Sequence, residues 1–412
     1  MPHDAGPTRI KSLRVRGFRC IKQLDLELPP FTVVIGPNGS GKSSLLQLFH
    51  LLSRLADERL AETISSFGGY EAALSFGRES GEMQLGFTLT DGGNAWVAES
   101  DLEYLLTLQR HPGGFSVQSE ELWRRARQLL HLLPHIIPLL DRNNVTSSHS
   151  TEHDGLFLSR GPKEANYCNE AGERRLLRPD RIHEAVVSHA KDRLAIASFV
   201  DFARRISYRS AGETSLSRAL RRPQQLQPAT TPGASGDDLL SVLYTMQASR
   251  PDTFGELIET LQVAYPELRS ISIPLAGRGY GSLEWHQVGL DRALDPQQLS
   301  DGTLRLLWLV TLLHAVPDDG VVLIDEPETS LHPQWLMILV SLMRQTSART
   351  QVIVATHSDQ LIRWLEPHEL LVADIEDGES RFRWGSEMNL DEWLKKYTLD
   401  ELWLMGELGG RQ

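Results

Sequence analysis

The stretch "FTVVIGPNGSGKSSLLQLF", residues 31–49, constrains this chain more than any other. Phe31 to Ile35 run without polar–apolar alternation, as a strand buried on both faces does. Gly36, Gly39 and Gly41 follow, residues that reach backbone angles closed to other side chains. Leu45, Leu46, Leu48, Phe49 and Leu52 then recur at helical spacing. In a strand, glycine turn and helix joined in that order, successive N–H groups converge on one point and the positive end of the helix dipole reinforces it. That point suits an anion. Lys42 adds a point charge for outer phosphates, and Ser43 offers a hydroxyl to a magnesium ion. Gly36, Asn38, Gly39, Ser40, Gly41, Lys42, Ser43 and Ser44 are therefore the candidate nucleotide-binding loop.

A second buried strand, within "VVLIDEPETS", delivers Asp325 and Glu326 to a sheet edge where α/β proteins bind ligands. Asp325 is placed to hold magnesium through its water shell, and Glu326 to orient or deprotonate an attacking water. In "LSDGTLRLLWL", Ser300 and Gly302 precede a helix that is apolar nearly all round. A small-residue turn at such a helix start makes a second anion cradle, and it equally makes an ordinary serine N-cap. Gly302 lies 23 positions before Asp325, and His357 follows Glu326 by 31, at the end of "VIVATHS". His357 falls where a γ-phosphate contact is needed.

Composition excludes several classes. The formal net charge of −12 opposes indiscriminate coating of nucleic acid or anionic membrane. The two cysteines, Cys20 and Cys168, have neither metal spacing nor a disulfide framework, which fits a reducing cytosol. The N-terminus lacks the apolar core of a secretory signal, and no stretch reaches the roughly 18 uninterrupted apolar residues of a membrane span. A cytoplasmic protein is expected.

Residues 9–28 read as alternating strands of a half-exposed antiparallel sheet, and 65–110 as short strands between glycine-rich turns. Residues 119–142 look helical, broken at Pro134 and Pro138, and 145–180 loop-rich. Helices are expected near 181–206 and 238–263, with a strand pair around "LRSISIPLAG" and "SLEWHQV". From 299 onward, strands separated by helices suggest a parallel sheet covered by helices.

The set "GPNGSGKSS", "LSDGT", "LIDEPETSLHP" and "VATHS" resembles the Walker A, signature, Walker B and switch-histidine motifs of the ABC-type ATPases. More than 250 residues separate the first two motifs, a span similar to the SMC, RecF and OLD branch and unlike the transporters. "IKSLRVRGFRCIKQLDLEL" resembles the opening hairpin of RecF-like heads, in which Phe18 and Arg19 would run beside the nucleotide. The motifs cover residues 9–57 and 290–375, about a third of the chain. Asp301 and Thr303 depart from the transporter pattern, and Gln84 is the candidate for the family's magnesium-loop glutamine. The layout between the motifs resembles stand-alone ATPases of antiphage systems such as PARIS and Septu.

The resemblance implies an α/β ABC-type P-loop ATPase head, with a mixed, largely parallel sheet flanked by helices and an inserted, mostly helical subdomain. The expected division is 1–115, an N-terminal lobe with Walker A; 116–280, the insertion; and 281–412, the C-terminal lobe. It also implies ATP and Mg2+, with Ser43 and Asp325 at the metal. Lys42, Glu326 and His357 would be catalytic, and Arg19 and the loop would contact the nucleotide. Ser300 and Gly302 would act in trans, in a homodimer that sandwiches ATP. The expected role is a sensor or clamp in antiphage defence with a separate effector. The alternatives are a RecF-like repair ATPase and a nucleotide-dependent scaffold with negligible turnover.

Outside the motifs, residues 201–222 hold Arg204, Arg205, Arg209, Arg218, Arg221 and Arg222, a candidate DNA track or a set of salt bridges. The tail places Trp393, Tyr397, Trp403 and Leu404 together, as a last helix on its own sheet or as a docking site. His149 and His153 read as loop residues and not zinc ligands. Asp374 and Glu376 read as a surface turn and not a nuclease site.

Overall fold

The computed structural model describes residues 6–75, 80–90, 100–126, 156–169, 173–177, 179, 181–190, 194–210, 220–233 and 235–409. The chain forms two units: Met1–Leu28 with Gln47–Ile206, and Pro29–Leu46 with Ser207–Gln412. It opens with strands β1 (Arg9–Phe18), β2 (Ile21–Glu27) and β3 (Phe31–Ile35), then helix α1 (Lys42–Leu55), which starts in the second unit and continues into the first.

The first unit is built on an antiparallel sheet. Short helices α2 (Leu60–Ser66) and α3 (Tyr70–Ala73) lead into β4 (Glu82–Thr90), β5 (Ser100–His111) and β6 (Gly114–Ala126). Then come β7 (Leu156–Arg160), β8 (Ala165–Cys168), β9 (Arg174–Leu177) and helix α4 (Leu194–Arg204). The eight strands lie in the order β2-β1-β4-β5-β6-β7-β8-β9. Alternation drives it: Leu13 and Val15 are buried while Lys11, Arg14 and Arg16 face water. A register shift between Ile10 and Ser12 lets Ile10 join the same buried face.

The expectation of a helix from 119 is corrected: Ser119–Ala126 belongs to β6, and 127–142 lie outside the described residues. The expected mostly helical insertion accordingly begins as sheet, with β6 to β9 extending the array. The physical reason is Glu120. It occupies a core-facing position with no exposed surface, which breaks the polar–apolar pattern of the strand. Its carboxylate accepts from Tyr104 Oη at 3.0 Å, Val186 N at 2.7 Å and Val187 N at 3.0 Å, and the buried guanidinium of Arg160 lies 3.7 Å away.

The second unit is α/β. After β10 (Ile206–Ser210), the pieces β11 (Gln224–Gln225), β13 (Leu275–Ala276) and β14 (Tyr280–Gly281) make one small sheet. β12 (Leu268–Ser272) pairs antiparallel with β15 (Glu284–Gln287), as expected. The helices are α5 (Leu239–Ser249), α6 (Pro251–Ala264), α7 (Asp301–Ala315), α8 (Pro333–Thr346), α9 (Asp359–Ile362) and α10 (Leu399–Met405). The central sheet runs β10-β16-β17-β3-β18-β19, with β16 (Val321–Asp325), β17 (Gln351–Thr356), β18 (Leu370–Glu376) and β19 (Glu379–Trp384). β16, β17, β3 and β18 are parallel, and β19 closes the edge antiparallel to β18. β3 and β17 are buried along their whole length, the condition for helices on both faces. α7 is buried from Gly302 to Leu313 and packs against α5, α6 and α8.

In the tail, Leu399, Leu402 and Leu408 are buried in this core, and Tyr397 and Trp403 pack against it. Arg383 of β19 pairs with Glu376 at 3.5 Å and lies 4.0 Å from Asp374, as structural carboxylates do. Among the described residues, no helix is long and apolar enough to cross a membrane.

Candidate nucleotide-binding site

Parallel pairing brings the motifs together. Asp325 is opposite Ala355, and Thr356 is opposite Ile35, so β16, β17 and β3 end side by side. Glu326, His357 and Gly36 therefore emerge at the same carboxyl edge of the sheet, the edge at which such folds take ligands.

The glycine loop is shaped by close approach and by positive backbone angles. A Cβ on Gly36 would stand 2.1 Å from the Ala373 carbonyl oxygen and 2.6 Å from Ser40 Oγ. Gly39 and Gly41 have φ of 82° and 104°, which favour glycine. A Cβ on Gly39 would meet nothing within 4 Å, so the loop is open there. Ser40 Oγ is buried without a hydrogen-bond partner, and Ser43 is exposed in the first turn of α1. Lys42 Nζ donates to the carbonyls of Gly36 at 2.7 Å and Pro37 at 3.0 Å. Burial lowers its pKa, while Asp325, Glu326 and Glu328 act to raise it. The Lys42 ammonium thus feels the charge of all three carboxylates while its hydrogen bonds go to the loop carbonyls.

At the end of β16, Asp325 Oδ2 accepts from the Tyr208 hydroxyl at 3.0 Å. Burial pushes the Asp325 carboxyl up, and the Tyr208 bond opposes that rise. Glu326 is held in the left-handed region, at φ 52°, with its N–H on the Ala355 carbonyl at 2.8 Å. Its Oε1 lies 3.2 Å from His357 Nδ1. Glu328 Oε1 accepts from Thr356 Oγ1 at 2.6 Å, while its Oε2 is buried with no hydrogen-bond partner. Burial raises the Glu328 pKa. Two residues that sequence reasoning missed, Tyr208 and Glu328, therefore hold Asp325 and the end of β17.

The signature turn has its own surroundings. Ser300 is the N-cap of α7, accepting from Thr303 N at 3.1 Å. A Cβ on Gly302 would stand 2.5 Å from the Ser330 carbonyl oxygen, and Arg305 Nη1 donates to the Thr329 carbonyl at 2.8 Å. The turn is thereby seated on the loop that follows Glu326. Arg19, in the first unit, sits in the β1–β2 turn at φ 49°, its guanidinium 5.0 Å from the Phe67 ring centroid. Gln84 is on β4 and donates to Glu82 Oε1 at 2.7 Å.

Of the arginines read as a DNA track or a set of salt bridges, Arg204, Arg209 and Arg221 have partners within the fold. Arg209 donates to the carbonyls of Pro232 and Tyr208, both at 2.9 Å, and burial lowers its pKa, so its guanidinium is spent inside the fold. Arg204 pairs with Asp57 at 3.0 Å and Arg221 with Asp301 at 2.8 Å. Arg205 and Arg222 are exposed, whereas Arg218, His149 and His153 lie outside the described residues.

The model of the AAA_21 family, described as "AAA domain, putative AbiEii toxin, Type IV TA system", matches residues 31–363. The chain belongs to this family. AAA_21 residues 31–363 include every motif of the second unit's sheet edge. The chain is 44% identical over 43 residues to the OLD nuclease of Thermus scotoductus, covering 10% of this chain and 8% of that protein. Over 59 residues it is 32% identical to Septu protein PtuA of Bacillus thuringiensis, 14% of this chain and 15% of the relative. Over 111 residues it is 29% identical to the Retron Ec83 probable ATPase of Escherichia coli, 22% of this chain and 20% of the relative. The matches thus span a fifth or less of the curated relatives. Among solved structures, an Smc head bound to the C-winged helix domain of ScpA aligns with a TM-score of 0.52 at 14% identity, over 91% of this chain and 97% of that one. An Smc head from Pyrococcus furiosus gives 0.50 at 13% identity, over 94% and 100%. The AAA_21 chain therefore has the fold of an SMC-like P-loop ATPase head.

Proposed function

We propose that this AAA_21 chain binds and hydrolyses ATP and that two copies close around two ATP molecules. The observation that supports the reading best is the meeting of Lys42, Asp325, Glu326 and His357 at one sheet edge. The loop glycines admit the triphosphate to backbone N–H groups, and Lys42 exchanges two loop carbonyls for phosphate oxygens. A magnesium ion at Ser43 and Asp325 would neutralise phosphate charge, and the hydroxyl and carboxylate present there fit it. Tyr208 keeps the Asp325 carboxylate oriented. Glu326 accepts the proton of the attacking water, with His357 beside its carboxylate.

The signature turn of one copy supplies Ser300 and Gly302 to the nucleotide of the other. Because Gly302 sits on Ser330, the turn of each copy rests on its own Walker B loop. Nucleotide state at one site is then coupled to the partner-facing turn of the same chain, which is a two-state switch. The matches to the OLD nuclease and Septu protein PtuA support placing the switch in antiphage defence, as a sensor or clamp with a separate effector. The test is mass measurement of Glu326→Gln with and without ATP, beside steady-state turnover of the unsubstituted chain. The reading expects turnover that requires Lys42 and a doubled mass with ATP; a chain that stays monomeric overturns the sandwich.

A further inference from the structure

Arg221 does more than neutralise a neighbour. Its Nη1 donates to the Gln297 carbonyl at 3.1 Å, and its Nη2 donates to both the Leu299 carbonyl at 3.0 Å and Asp301 Oδ1 at 2.8 Å. These acceptors flank Ser300 on both sides, so one planar fork brackets the serine, reaching Asp301 from 80 residues away in sequence. The Arg221 side chain is 29% exposed and that of Asp301 is 68% exposed. A pair so open contributes little to folding. Its consequence is local. Asp301 is the first residue of α7, where a carboxylate suits the helix dipole but repels an arriving phosphate.

We infer that Arg221 is the positioning residue of the signature turn: it fixes Ser300 for the nucleotide of a second copy and cancels the Asp301 charge that would oppose that nucleotide. This rests on the ATP-sandwich reading above. The substrate group it prepares for is the polyphosphate of a nucleotide held by another copy of this chain. The glycine loop of the same chain does not depend on it. Binding and dimerisation therefore separate.

The experiment uses the full chain in a Glu326→Gln background. Sedimentation measures the ATP-dependent monomer–dimer constant, and a fluorescent ATP analogue at low protein concentration measures nucleotide affinity of the monomer. Arg221→Ala is expected to weaken dimerisation by roughly 10- to 100-fold, the scale of losing charge-assisted hydrogen bonds. Monomer affinity is expected to stay within about twofold, since Lys42 and the loop provide it. Arg221→Lys, a point charge that cannot span three acceptors, is expected to fall between. Adding Asp301→Asn to Arg221→Ala is expected to restore part of the loss by removing the uncompensated carboxylate.

If Glu326→Gln dimerises with ATP and Arg221→Ala dimerises equally well, the assignment of Arg221 is wrong and the sandwich stands. If nucleotide affinity and melting temperature fall together with dimerisation in both Arg221→Ala and Arg221→Lys, Arg221 is a folding residue and the proposal is again overturned. If Glu326→Gln itself never dimerises, it is the sandwich that fails.

Discussion

Both units bury carboxylates, and they treat them differently. In the first, Glu120 is wholly enclosed, yet hydrogen bonds from Tyr104, Val186 and Val187, together with the Arg160 charge, satisfy it. In the second, Glu328 leaves one buried oxygen without a hydrogen bond, and burial pushes the Asp325 carboxyl up although Tyr208 donates to it. A paired charge within a sheet stabilises one arrangement, since a buried ion is tolerated only with its partners. A carboxylate at a strand edge whose oxygens are incompletely satisfied is a charge that a bound cation can answer. The contrast separates architecture from chemistry by how completely each charge is answered.

Removing one partner of the paired network gives the largest expected change. Glu120→Ala strands the Arg160 guanidinium in the core and is expected to cost about 3–5 kcal/mol of stability, read by denaturant unfolding. A loss below about 1 kcal/mol would show that water reaches this network. At the other region the effect should fall on turnover instead of folding. Lys42→Ala is expected to lower ATP turnover by about 100-fold or more while leaving the melting temperature nearly unchanged, because among the described residues Lys42 bonds loop carbonyls.

Smaller effects sharpen the comparison. Tyr208→Phe removes the hydroxyl from Asp325 and is expected to reduce turnover about 10-fold and to raise the magnesium concentration needed for half-maximal rate. Identical magnesium dependence in both proteins would make Tyr208 a packing residue only. The smallest effect concerns His314 of α7, whose pKa burial lowers from 6.5. The unfolded chain takes up that proton first as pH falls, so the contribution to stability is complete above 6.5 and is lost as pH drops through the lowered folded value. Unfolding curves between about pH 7 and 5 should therefore be flatter for His314→Gln than for the native sequence.

Much of the second unit was legible because its strands are unbroken apolar runs and its glycine loop has a single structural reading. Asp325, Glu326 and His357 could be placed at one edge from strand ends alone. Tyr208 and Arg221 could not, because their partners lie 117 and 80 residues away and neither sits in a motif. The arginine-rich run stays open between a DNA track and salt bridges for the same reason: count does not reveal that Arg209 donates inward to Pro232. Residues 119–142 look helical by local pattern, and Ser119–Ala126 lies in a strand instead because the partners that hold Glu120 in the core, Val186 and Arg160, are remote in sequence.

The most direct measurement is a nucleotide-loaded structure of the Glu326→Gln chain. The account predicts Ser300 and Gly302 of each copy against the phosphates held by Lys42 of the other. Ser300 facing solvent or its own core in every assembly, with nucleotide bound at Lys42, would contradict it.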